Sequence, residues 1–106
     1  SEKAAAMEKQ RLMWEQFCQK YSGRLSAEET RAGREEALQM LEKKDTLPPI
    51  RLKVAKYISD GYVLERNLPK ALEYLEIARD ADPESQAAKK LEPWIDNMRK
   101  HINQEK

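Results

Sequence analysis

Proline sets the boundaries of this chain. Inside a helix a proline lacks the amide proton and clashes with the preceding turn, whereas in the first turn the missing proton costs little. Pro48-Pro49, Pro69 and Pro83 each stand where a run of regularly spaced apolar residues begins, so each predicts a helix start. Between the breaks the residues are mostly Ala, Leu, Glu, Lys, Gln and Arg, with only three glycines in 106 positions. Straight-chain side chains lose little rotamer freedom in a helix, and glycine destabilises one. The fold class that follows is all-α, built from about five helices. A chain of this length supports one domain, 1–106, around one modest core.

The first helix is predicted from about Glu2 to Tyr21, with Met7, Trp14, Phe17, Cys18 and Tyr21 forming one apolar stripe before Ser22-Gly23. Ser26-Ala27-Glu28-Glu29 is a capping box that starts the second, because the Ser26 hydroxyl accepts from a first-turn amide while Glu29 reaches back. Its inner face is Ala27, Ala37, Leu38 and Leu41, and it stops before Leu47-Pro48-Pro49. Ile50, Val54, Tyr57, Ile58 and Tyr62 form the buried stripe of the third, and Asn67-Leu68-Pro69 turns into the fourth, faced by Ala71, Leu72, Leu75 and Ala78. Asp82-Pro83 gives the start signal of the fifth, with Ala87, Leu91, Trp94 or Ile95, Met98 and Ile102 inward. Pro93, well inside that last run, predicts a kink or a break into two short helices.

An internal repeat is visible at an offset of 34 residues: Glu-Ala-Leu-Gln-Met-Leu-Glu at 36–42 aligns with Lys-Ala-Leu-Glu-Tyr-Leu-Glu at 70–76, and Pro49 falls on Pro83. In this register the span Leu52–Ser85 resembles the tetratricopeptide repeat family. The positions that carry the resemblance are Ile58, Ser59, Tyr62, Ala71, Leu75, Ala78 and Pro83, while Ala55 departs from the large apolar residue the pattern calls for. Small residues at Ala71 and Ala78 let two antiparallel helices approach, with Tyr62 and Leu75 filling the space between them. Upstream, Arg24 and Glu28 stand where Ile58 and Tyr62 would be, so that half is a diverged companion. The organisation expected is a diverged hairpin at 1–47, a tetratricopeptide-like hairpin at 48–85 and a capping helix at 86–106, in a right-handed superhelix or bundle. The last helix and its tail are also similar to the end of mitochondrial fission adaptor domains.

The resemblance implies that the third helix lines a groove for a peptide or helix of a partner protein, through Lys53, Lys56, Asp60, Val63 and Leu64. Lys56 occupies a position that family members use to clamp a C-terminal carboxylate. The asparagine that accompanies it there is replaced by Asp60, whose charge would repel a carboxylate, so that ligand is not expected. Leu12 and Met13, and Tyr74 and Ile77, lie off the inward stripes and suggest a further contact surface, such as a homodimer's.

The rest of the sequence offers no chemistry. Cys18 is the one cysteine, which excludes an internal disulfide, and its aromatic neighbours suggest a small hydrophobe rather than a reactive thiol. His101, the one histidine, sits near a helix end, where a solvated or capping role is expected. Metal-ligand spacing, a glycine-rich phosphate loop and a nucleophile elbow are all missing, so an enzyme, a cofactor and a metal are not expected. Glu28-Glu29 and Glu35-Glu36 interleave with Arg31 and Arg34, which predicts surface ion pairs along one helix. Nine basic and nine acidic groups in the first fifty residues, and a net charge of +1 overall, give no reason to expect nucleic acid or an anionic membrane as partner. No run reaches the roughly 20 apolar residues of a membrane span. The chain opens at Ser1 with no initiator Met, as a trimmed or processed product would, and a removed signal or anchor would leave no trace. The expectation is a non-enzymatic adaptor or scaffold domain, cytoplasmic or the soluble part of a membrane-associated protein. The competing expectation is a self-associating component of a secretion, pilus or envelope assembly.

Overall fold

The computed structural model describes residues 1–104 and is all-α. Five helices follow in order: α1 (Glu2–Lys20), α2 (Ala27–Glu42), α3 (Pro48–Leu64), α4 (Leu68–Ala81) and α5 (Gln86–Gln104). Their starts are set locally. Ser26 accepts from the Glu29 amide at 3.1 Å while the Glu29 carboxylate accepts from the Ser26 amide at 3.0 Å, completing the capping box. Pro48 and Pro49 occupy the first turn of α3, and Asn67 caps α4 by accepting from the Lys70 amide at 3.2 Å. The turn between α3 and α4 is closed by Arg66 in the left-handed region (φ 61), a place usually filled by glycine.

The fifth helix begins later than Asp82-Pro83 implied. Asp82 instead closes α4, and the Ser85 hydroxyl is the cap: it donates to the Asp82 carbonyl at 2.7 Å and accepts from the Ala88 amide at 3.1 Å. On α5 it is Ala88 that is buried, while Ala87 is exposed. Nor does Pro93 break the helix, which is continuous from Gln86 to Gln104. Pro93 lies on the exposed side while Leu91, Ile95 and Met98 are held against α4, and that packing outweighs the missing backbone bond.

The helices fold back on one another in sequence, and α3 is shared by two cores. One core joins Leu52 and Ala55 of α3 to Leu75 and Ala78 of α4 and to Ala88, Leu91 and Ile95 of α5. The other joins Phe17 of α1 and Ala37 of α2 to Ile50, Val54 and Ile58 of α3. Within the α3–α4 hairpin Ala71, Ala78, Leu75 and Ser59 are at most 1% exposed. The closeness this allows is seen directly, since the buried Ser59 hydroxyl donates to the Ala71 carbonyl at 2.7 Å. Ala55, the departure from the repeat pattern, is fully buried and packs with Leu75 and Ala78. Tyr62 is only half-buried: its ring stacks on Tyr74 with centroids 5.8 Å apart, and the Arg34 guanidinium lies 4.1 Å above it.

Several inward assignments change for the same reason. Ala27 and Cys18 are exposed, whereas Tyr74 and Ile77 pack against the cores. Arg34 does not pair along α2 but crosses to Glu65 at the end of α3, and Glu36 takes Lys20 of α1 at 2.9 Å. Neighbouring helices offer these long side chains better partners than their own helix does.

Candidate protein-binding groove

Lys53, Lys56, Asp60, Val63 and Leu64 recur every three or four residues and therefore share one face of α3. The other faces of α3 are consumed by the two cores, which leaves this one outward. The structure brings all five of them together on it, and Lys56 is committed within the chain. Its Nζ lies 3.0 Å from the Asp60 carboxylate and 5.6 Å from the centroid of the Trp94 ring on α5. Asp60 and Lys56 thus form an exposed ion pair on this face. Lys53 is exposed and has no ion-pair partner among the described residues. Partial burial pushes the neighbouring Cys18 thiol on α1 up, with the Lys53 charge acting against it, so the thiol stays protonated at neutral pH.

The C-terminal part of the face is apolar. Leu64 is 85% exposed, Val63 41% and Trp94 59%. Trp94 is the residue sequence reasoning left undecided, offered with Ile95 for the inner stripe. Ile95 is fully buried and Trp94 turns outward beside Lys56. The only local signal was their adjacency, since neighbours on a helix point about 100° apart. Shallow hollows flank the face. One lies between Leu68 at the start of α4 and Pro93, Trp94 and Met98 of α5. The other is lined by Asp60, Gly61 and Leu64 of α3 with Tyr21, Leu25 and Arg34.

His101 is exposed, with Nδ1 2.9 Å from the Asn97 carbonyl one turn earlier. Among the described residues no three His, Cys, Asp or Glu side chains are grouped to hold a metal ion, and no helix is long and apolar enough to cross a membrane. Compared with family models, with curated proteins and with solved structures, the chain matches none.

Proposed function

We propose that this chain is a non-enzymatic, tetratricopeptide-like interaction domain that takes a peptide or helix of a partner protein on the outward face of α3. The observation that carries the reading is the exposure of Leu64 on this face and of Trp94 beside Lys56, two large apolar side chains each more than half exposed. Isolated exposed apolar residues are ordinary, but tryptophan is among the residue types most often responsible for binding energy, and a polar rim around an apolar centre is the usual anatomy of an interface. Lys56 and Asp60 hold each other, so the face offers a pre-ordered polar strip instead of competing for a carboxylate. A helix laid against it would place its apolar residues on Val63, Leu64 and Trp94.

The test is affinity capture from the native cell with the unmodified chain and with Leu64→Ala/Trp94→Ala. Both side chains are exposed, so helicity and melting should be retained. A co-captured protein lost with the double variant, and with Lys53→Glu, supports the groove. Undiminished capture by a folded double variant removes it.

A further inference from the structure

A second feature lies along α1, away from the outward face of α3. The α1 residues Ala6, Gln10, Met13, Phe17 and Lys20 succeed each other at helical spacing and line an open seam between α1 and α2 with the turn that follows it. Two adjoining clefts run through it, of about 300 and 330 Å³, and they share Met13, Met40 and Lys43. The seam is stitched at both ends. Gln10 donates from Nε2 to the Asp45 carbonyl and accepts from the Leu47 amide, each at 2.8 Å, while Lys20 reaches Glu36. The first cleft, which runs past the Gln10 stitch, is walled by Met13, Trp14, Met40 and Ile50, with Lys9 and Lys43 also on its lining.

We propose that this seam binds an unbranched amphipathic anion, an alkyl chain bearing one carboxylate, of medium length. Five of the ten residues lining the first cleft are apolar, Met13 and Met40 among them, and unbranched methionine side chains re-pack around an inserted chain. The volume of the first cleft lies at the lower end of the range for ligand sites. Neither Lys9 nor Lys43 has an ion-pair partner among the described residues, and together they outweigh the single Asp45 on the lining. The net charge on the lining is therefore positive where the headgroup would sit. A third helix inserted between α1 and α2 would break both the Gln10 and the Lys20 contacts, because helix axes need about 8–10 Å of separation. A single alkyl chain leaves them intact. Nothing here rests on the α3 groove.

Trp14 lines the cleft and supplies the readout. In the full chain carrying Trp94→Phe, Trp14 is the one remaining tryptophan of two. Octanoate, decanoate and dodecanoate, each below its micellar concentration, should change its emission saturably, with affinity rising about fourfold per added methylene until the seam is full. Calorimetry on the unmodified chain should give the same order. Lys9→Glu/Lys43→Glu should weaken decanoate about tenfold, and Met13→Glu should abolish its binding. Absence of saturable binding by both methods overturns the proposal. So does equal affinity for decyltrimethylammonium, or binding unaltered by the lysine reversals. An emission change driven by an amphipathic Leu/Lys peptide, or by protein concentration with dimer in sedimentation, and not by the carboxylates, overturns it in favour of a protein occupant.

Discussion

Gly33 and Gly61 are both interior helix positions, and the same substitution at the two should have opposite signs. Replacing an interior helix glycine with alanine is worth about 0.8–1.0 kcal/mol in intrinsic propensity. At Gly33, in the middle of α2, an added Cβ would come 2.7 Å from the Tyr57 hydroxyl and 3.2 Å from two ring carbons of Tyr21. Neither ring can retreat freely. Tyr57 sits edge-on to both Trp14 and Phe17, with centroids 5.9 and 5.0 Å away, and Tyr21 packs on Phe17 at 5.0 Å. Forcing a methyl into such packing costs about 1–3 kcal/mol, so the net effect of Gly33→Ala is a loss of about 1 kcal/mol. At Gly61 the nearest atom to a new Cβ is an Arg34 guanidinium nitrogen at 3.5 Å, an ordinary contact. Gly61→Ala should therefore stabilise by up to about 1 kcal/mol. For a domain of this size each kcal/mol moves the melting midpoint by about 4–8 °C, so circular-dichroism melts separate the two variants clearly. Tyr57→Phe removes the closest clashing atom, and Gly33→Ala in that background should recover part of the loss. If Gly33→Ala raises the midpoint as much as Gly61→Ala does, the rings of Tyr57 and Tyr21 do not pack against α2 at Gly33.

Three further outcomes are expected. Ser59→Ala removes the buried hydroxyl that donates to the Ala71 carbonyl and should cost about 1 kcal/mol in urea unfolding, with no change in slope. Pro93→Ala restores a backbone donor within a continuous helix and should stabilise by about 1–3 kcal/mol; a lower melting midpoint would show that the proline is required by its surroundings. The Ser26 amide, and then its hydroxyl, hold the Glu29 carboxyl below its ordinary value of 4.5. A folded-state value below the unfolded one makes the capping box's contribution complete above the unfolded value and lost as pH falls through the folded one. An NMR titration of Glu29 should show that low midpoint, and Ser26→Ala should return it towards the ordinary value.

The helix starts were legible because they depend on neighbours a few residues away. The Ser26 capping box, the prolines opening α3 and the Asn67 cap are contacts within one turn, and they form as the sequence implies. Two local signals competed at the start of α5, and the helix follows the boundary at 86 and not the Asp82-Pro83 signal. Pro83 resembles a helix opener, but Ser85 follows with a hydroxyl that bonds both sides of the turn, and the helix starts there. The outward placement of Lys53, Asp60, Val63 and Leu64 was readable from period alone, since a face that neither core uses is left outward. That of Trp94 was not, because α5 carries two large apolar residues in succession and the position of α4 selects between them.

By itself, then, the sequence determined an all-α chain, its helix boundaries to within a few residues, and the small-residue contacts of the α3–α4 hairpin. These follow from backbone bonding and side-chain entropy, which act within about four residues. Only the tertiary structure decided that α3 would serve two cores, that Arg34 would leave its own helix for Tyr62 and Glu65, and that the α1–α2 seam would stay open between two stitches. Those outcomes depend on which surfaces meet across 12 or more residues of chain, as Ser59 meets Ala71 and Gln10 meets Leu47. Local propensity is silent on such meetings, and close packing settles them.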